Sequence, residues 1–245
     1  MNNGAGATRS PRRRTVTALE KVLGYDSYYR NADSKDEGES DLCMVREAAA
    51  DYNLSEKDLF DENDHSHTVE EYLSLPDNLR VELIDGTFYR MHAPSYEHQE
   101  IIACIAIELR NFVRNNKGEC KVIISPFDIQ LDEDDKTMVQ PDIVVICKRE
   151  HLDRKRGYGA PDMVVEVLSP STAKKDSDLK LRKYMKAGVR EYWIVDPDKK
   201  QVIVYVLNEE DGIVFPSVYD FNDIVPVAIW DGRCKVDFSG IDTEI

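Results

Sequence analysis

The chain has 245 residues, 42% of them hydrophobic, which is enough to bury a sizeable core. Its formal net charge of -15 makes the surface as a whole repel polyanions, so a simple basic nucleic-acid coat is excluded while an enzyme with a locally positive site is not. No run approaches the roughly 18 apolar residues of a membrane span and no apolar leader opens the chain, so no membrane partner is expected.

Residues 1–14 are small, polar and basic, and the stretch that follows to Asp64 is strongly acidic and interrupted by N-A-D-S-K-D-E-G-E-S at 31–40. Residues 1–64 therefore read as an acidic extension, partly disordered or weakly helical, ahead of a domain at 65–245. Thr68-Val-Glu-Glu71 has capping-box spacing and opens a short helix that ends before Pro76. Strands are expected at Arg80–Ile84 and Thr87–His92, joined through Asp85-Gly86, a dipeptide suited to a tight hairpin turn. Ser95 caps a long helix to about Asn116, with Gly118 as its stop and Ile101, Ile102, Ile105, Leu109 and Phe112 as its apolar stripe. Strands follow at 120–124, 127–131, 142–147 and 162–168, then a helix at 174–187 ended by Gly188. Strands at 190–195 and 201–206 flank the turn Asp196-Pro-Asp-Lys199, and 213–238 reads as short strands. This order predicts an α/β fold with a mixed sheet. The five cysteines, Cys43, Cys104, Cys120, Cys147 and Cys234, are odd in number and lack a C-x-x-C pair; they are expected to be reduced thiols, which points to the cytoplasm.

Two of these strands carry an acid inside an apolar run. Asp142 precedes four branched aliphatics in Q-P-D-I-V-V-I (140–146), and Glu166 stands between Val165 and Val167 in P-D-M-V-V-E-V-L (161–168). A buried carboxylate is costly unless it is paired or bound to a cation, and two meeting across neighbouring strands are worse unless a divalent ion lies between them. Carboxylate oxygens and water are what Mg²⁺ prefers, and such an ion lowers the pKa of bound water and offsets charge gathering on a phosphate. The structural alternative for Glu166 is a strand end in solvent or a pair with a helix lysine. Downstream, residues 171–190 carry seven basic and two acidic side chains. Asp176, Lys180 and Tyr184 share one helix face, with Leu181, Met185 and Gly188 expected on the face that packs on the sheet. A lysine there could orient an attacking water or steady phosphate charge; the plainer alternative is a solvated face with an Asp176–Lys180 pair. Tyr184 could serve packing or phosphate contact. His65-Ser-His67 lacks partner ligands, and Asp132–Asp135 lacks the glycine and glutamate of a calcium loop, so both are expected at the surface.

Seven separated motifs stand in order: Y-L-S-L-P (72–76), V-E-L-I-D-G (81–86), A-P-S-Y-E-H-Q (93–99), V-Q-P-D-I (139–143), P-D-M-V-V-E-V-L-S-P-S-T (161–172), D-x-x-x-K-x-x-x-Y (176–184) and G-V-R-E-Y-W-I-V-D-P (188–197). Over roughly residues 68–240 the chain thereby resembles the Uma-two family, restriction-endonuclease-like proteins within the PD-(D/E)xK nuclease superfamily. The resemblance implies a restriction-endonuclease-like core, a mixed β-sheet flanked by helices, that cuts phosphodiester bonds with Mg²⁺, or with Mn²⁺ in its place. It makes Asp142 and Glu166 metal ligands and offers the backbone carbonyl of Val167 as a third. The superfamily lysine should stand two residues after the glutamate, where this chain has Leu168; in the family the following helix supplies it, and Lys180 is the matching residue. Glu82 matches an acidic position on the first hairpin and His98 a position at the start of the long helix, and both join Asp142, Glu166 and Lys180 as candidate catalytic residues.

The leading expectation is a Mg²⁺-dependent endonuclease acting on DNA. Its alternative is a catalytically silent nuclease-fold module that binds nucleic acid or protein. A third reading is an acidic α/β protein with structural carboxylates. The -15 charge predicts weak, salt-sensitive DNA affinity carried by basic patches at 148–156 and 171–190. A cut across both strands would favour a two-fold homodimer.

Overall fold

The structure, a computed structural model, describes residues 59–76, 79–131, 135–169, 176–207 and 216–241. The expected extension up to residue 58 and the loop 132–134 lie outside the described residues. The chain divides into two compact units, Met1–Asp61 with Ser74–Arg80, and Glu62–Leu73 with Val81–Ile245. The second carries the sheets and every candidate site residue.

Helix α1 (Val69–Ser74) opens on the expected capping box: Thr68 N donates to Glu71 Oε2 at 2.8 Å and Glu71 N to Thr68 Oγ1 at 3.2 Å. Strands β1 (Val81–Ile84) and β2 (Thr87–Arg90) form the hairpin, with Asp85 and Gly86 at φ 51° and 80°, the two left-handed positions of a turn whose twist matches the strands. Helix α2 (Tyr96–Asn115) is capped by Ser95, whose hydroxyl accepts from His98 N. The strands β3 (Lys121–Ile124), β4 (Asp128–Gln130), β5 (Met138–Val139), β6 (Ile143–Ile146), β7 (Arg156–Tyr158) and β8 (Met163–Val167) follow. Helix α3 (Asp176–Ala187) then crosses over to β9 (Glu191–Asp196), which lies parallel to β8. β10 (Gln201–Val206), β11 (Ser217–Asp220), β12 (Ile224–Pro226) and β13 (Lys235–Asp237) complete the order.

Among the described residues these strands form two large sheets and a small one. The six-stranded sheet runs β11-β10-β9-β8-β6-β3 and the five-stranded sheet β2-β1-β5-β4-β7, with β12 and β13 as a separate pair. Strands β5 and β7, of two and three residues, are too short to show a periodicity, so the sequence did not reveal the second sheet. Alternation along β6, β8 and β9 divides the core. Ile143, Val145, Val165, Trp193 and Val195 pack with Ile101, Ile105 and Leu109 of α2. Val144, Val164, Tyr192 and Ile194 point the other way and pack with Ile84, Ile129 and Val139 of the five-stranded sheet and with Tyr184 of α3. The central strands are thus covered on both faces, which is why they read as unbroken apolar runs.

One expectation is corrected. Cys120 and Cys147 are not thiols but form a disulfide, because they continue the β3–β6 register one residue beyond Lys121 and Ile146 and so face each other across adjacent strands. Cys104 and Cys234 are free, Cys43 lies outside the described residues, and the cysteine argument for the cytoplasm loses its force. Among the described residues no helix is long and apolar enough to cross a membrane. Glu191, which the sequence left unremarked, is fully buried at the start of β9. It accepts from Trp193 Nε1 at 2.7 Å and from Ala228 N and Ile229 N at 2.9 Å, which ties the C-terminal segment to the sheet.

The hairpin turn gives a direct test of this packing. A Cβ on Gly86 would strike the His65 carbonyl at a backbone angle that L-residues avoid, whereas one on Gly240 meets nothing within 4 Å. Gly86→Ala should therefore cost about 2–3 kcal/mol in urea unfolding and Gly240→Ala should be nearly neutral; equal effects would contradict the turn geometry.

Candidate active site

The register of β6 and β8 brings the two strand acids together. Ile143 pairs with Val165, so one further step sets Asp142 opposite Glu166 on the face shared with Val144 and Val164. Asp142 is fixed by its own neighbours. Its Oδ2 accepts from Val167 N at 2.8 Å and lies 3.3 Å from His98 Nε2.

Across from β8, Glu82 projects from β1 of the other sheet and accepts from Gln140 N at 2.9 Å, two residues before Asp142. Helix α3 closes the group. Lys180 Nζ lies 2.9 Å from Glu82 Oε2 and 3.0 Å from Glu166 Oε1, and Tyr184 OH donates to the same Glu166 oxygen at 2.7 Å. Lys180 is only 8% exposed and Tyr184 fully buried, so Lys180 and Tyr184 form the face of α3 that meets the sheets. The expected packing positions Leu181, Met185 and Gly188 are all only partly buried. A charged residue can take the inner face because two carboxylates compensate its ammonium. The side chain of Asp176 lies outside those described.

The sequence-predicted residues Glu82, His98, Asp142, Glu166 and Lys180 thus converge from β1, α2, the segment before β6, β8 and α3. The alternative of Glu166 paired with a helix lysine is realised in the same contact that places Lys180. Tyr184 contacts neither solvent nor an open surface; it is a hydrogen-bond donor to Glu166, a role the sequence did not separate from packing. Also unforeseen are Gln140, whose side chain links Asp128 (2.8 Å) and Tyr72 (3.0 Å), and Lys183, which pairs with Asp85 at 2.6 Å and holds α3 to the hairpin. Tyr72 and Asp85 lie inside the quoted motifs, so motif membership was the available signal. The histidine pair is divided: His65 is exposed as expected, but His67 is 6% exposed, stacks on Phe88 at 4.3 Å and sits 3.5 Å from both Asp64 and Glu71.

Burial drives the electrostatics. It pushes the Glu166 carboxyl up to about 7; Lys180 opposes this, while Asp142 and Glu82 add to it. Burial disfavours the Lys180 ammonium, yet Glu166 and Glu82 outweigh it and hold the group well above the ordinary lysine range. Burial likewise lowers His98, but its bond to Asp142 and its hydrogen bond to the Val167 carbonyl raise it overall. Among the described residues His98 Nδ1 is buried without a hydrogen-bond partner, and Nε2 is the atom turned toward Asp142.

The donor chemistry suits a hard divalent ion. Among the described residues no hydrogen bond reaches Asp142 Oδ1 or Glu166 Oε2, and both carboxylates with the Val167 carbonyl are oxygen donors of the kind Mg²⁺ accepts alongside water. Among the described residues no group of three or more His, Cys, Asp or Glu side chains is arranged to hold a metal, so such a site would rest on two carboxylates and one carbonyl.

Fold and site together define a nuclease-like α/β protein. A crystal structure of "a putative nuclease belonging to DUF820" from Anabaena variabilis ATCC 29413 superposes with a TM-score of 0.59 at 21% identity, covering 71% of this chain and 96% of that one. The family model Uma2, "Putative restriction endonuclease", matches residues 69–230, and the chain belongs to that family. An uncharacterized protein of Synechocystis sp., slr1290, is 28% identical over 144 residues, 58% of this chain and 74% of its own length.

Two outcomes test this electrostatic arrangement. Lys180→Met leaves two buried carboxylates without their cation and should cost roughly 3–5 kcal/mol, while Lys180→Met combined with Glu82→Gln should cost less than the two separate losses added together; additivity would place Lys180 outside the pair. The Glu166 carboxyl sits higher in the folded chain than its ordinary 4.5, so the folded state holds the extra proton and stability falls as pH rises from about 4.5 to about 7. In EDTA, the drop in Tm across that window should be smaller in Glu166→Gln than in the wild type.

Proposed function

We propose that this chain is a Mg²⁺-dependent endonuclease that hydrolyses phosphodiester bonds of DNA. The observation that carries the reading is the convergence of Asp142, Glu166 and Lys180, with Lys180 standing on the helix rather than two residues after the glutamate. Asp142, Glu166 and the Val167 carbonyl would hold the ion, with Mn²⁺ able to replace Mg²⁺. When bound, such an ion lowers the pKa of a water and offsets charge on the phosphate.

The chain's own residues supply the rest. Lys180 is held protonated by Glu82 and Glu166, so it brings a fixed positive charge to orient the attacking water or to steady the charge that gathers on the phosphate. Glu82 keeps Lys180 in place through both of its oxygens and is itself held by Gln140 N. Tyr184 fixes one oxygen of Glu166 and so directs the other. His98 Nε2 reaches Asp142 Oδ2 and the Val167 carbonyl, two of the three donors assigned to the metal, and these contacts hold the imidazole above its ordinary range. The bond network also favours an enzyme over a silent binding module: a module has no need of a buried lysine between two acids, an arrangement that stability alone does not reward. Cytoplasmic location and a homodimer cutting both strands belong to the same reading, the first following from a DNA substrate and the second from the symmetry of a duplex.

The test is cleavage of plasmid and linear DNA in the presence of Mg²⁺ or Mn²⁺. Cleavage should be lost in EDTA and fall by at least roughly a hundredfold in Glu166→Ala, Asp142→Ala and Lys180→Ala. Undiminished cleavage by Glu166→Ala, or none by the folded wild type with either ion, refutes the proposal.

A further inference from the structure

The segment between β6 and β8 carries a feature that the acid–lysine centre does not use. Residues 148–156 hold five basic side chains, Lys148, Arg149, Arg154, Lys155 and Arg156, against Glu150 and Asp153, on a chain whose net charge is -15. Lys148, Arg149, Arg154 and Lys155 are all exposed. Among the described residues none of these four has a carboxylate oxygen within 4.0 Å.

The segment is a built turn rather than a loose loop. Residues Arg149–His151 form one turn of 3-10 helix, Leu152 bridges to Gly157, and Asp153 N donates to the Arg156 carbonyl at 3.0 Å. Asp153 Oδ1 accepts from Lys155 N and Arg156 N, and its Oδ2 accepts from the exposed Tyr158 hydroxyl at 2.8 Å. The guanidinium of Arg156 lies 5.6 Å from the centre of the Tyr158 ring. The base is anchored by core contacts, since a Cβ on Gly157 would meet Ile129 and Ile146. The Cys120–Cys147 disulfide and the Asp162 bond to Cys147 N (2.7 Å) fix the residue before Lys148. One acidic side chain of the segment is therefore used internally, and the cations are displayed on a fixed frame.

Its position relates it to the site. In the five-stranded sheet Arg156 pairs with Asp128, and the β4–β5 register continued by one residue sets Asp128 opposite Gln140. Two strand spacings, about 10 Å, thus separate the root of the turn from the residue two before Asp142. A duplex carries about six phosphate charges over that length, so one phosphate at Glu166 brings others within reach of the turn.

We infer that the turn 148–158 is a dock for the phosphate backbone of a nucleic-acid duplex, with Lys148, Arg149, Arg154 and Lys155 gripping the flank of the bond to be cut. The inference rests on the proposed nuclease reading only for where that bond lies. The dock helps a chain of this acidity to hold a polyanion, since the four cations stand together on a built turn while the chain as a whole carries -15.

The test compares Arg149→Ala/Arg154→Ala/Lys155→Ala with the charge-matched Arg114→Ala/Arg233→Ala/Lys235→Ala. Binding of a duplex of about 20 base pairs is followed by fluorescence anisotropy in EDTA across a salt series. The first variant should bind about tenfold or more weakly at low salt, with the slope of log Kd against log salt shallower by roughly 2–3, while the second behaves as the wild type. Its metal-dependent hydrolysis of bis(p-nitrophenyl) phosphate, which is too small to reach the turn, should be unchanged. Equal losses in both variants, or no change in the first, overturn the dock. Competition by a poly-glutamate peptide of equal charge as effective as by DNA overturns it in favour of an acidic protein partner. If the wild type hydrolyses nothing while the first variant alone loses duplex binding, the dock stands and the nuclease reading falls. If polymer cleavage is intact in the first variant and lost in Glu166→Ala, the reverse holds.

Discussion

One buried ammonium holds the site together. Lys180 Nζ sits within 3.0 Å of Glu82 on one sheet and Glu166 on the other, so a single charge from α3 joins three elements that share no local sequence. Removing charges from water costs several kcal/mol each, and the pair attraction repays this only where geometry is good and the remaining hydrogen bonds are made. Here they are: Gln140 N and Tyr184 OH supply further donors to the two acids. Replacing such a buried pair by well-packed apolar residues is often neutral or stabilising, so stability alone does not explain the charged arrangement.

The second constraint is the antiparallel register of β6 and β8. It sets Asp142 against Glu166, and burial, with the repulsion from Asp142 added to it, raises Glu166 to about 7. The structure relieves that repulsion in two ways at once. Lys180 compensates Glu166 from the helix side, and His98 compensates Asp142 from the start of α2. His98 contacts both Asp142 and the Val167 carbonyl, the same oxygens proposed for the ion.

Much of this was legible where the signal is local. Thr68 and Glu71, Ser95, and Asp85-Gly86 announce helix starts and a turn because capping and left-handed backbone depend on adjacent residues. The acids at 142 and 166 were legible because a carboxylate inside an apolar strand breaks the pattern around it. Lys180 followed from its spacing on the helix and the absence of a lysine at Leu168, through resemblance rather than periodicity. What was not legible depends on distant pairing. Glu82 and Lys180 are separated by 98 residues, and only the stacking of a second sheet, built with strands of two and three residues, brings them together. The inner face of α3 was only partly legible: Leu181 packs against the core as expected, but Lys180 and Tyr184 are buried there because two acids await the lysine. Cys120 and Cys147 were misread for the same reason, since their pairing follows from the β3–β6 register rather than from sequence spacing.

The account turns on whether Asp142 and Glu166 form one divalent-ion site. Calorimetric titration of Mn²⁺ into the metal-free protein below pH 7, in two buffers of different ionisation enthalpy, tests it most directly. The account predicts one ion per chain, with a proton released as Glu166 gives up its hydrogen, and no such binding in Asp142→Ala. Binding of equal affinity and stoichiometry in Asp142→Ala, or no binding by the folded wild type, would contradict it.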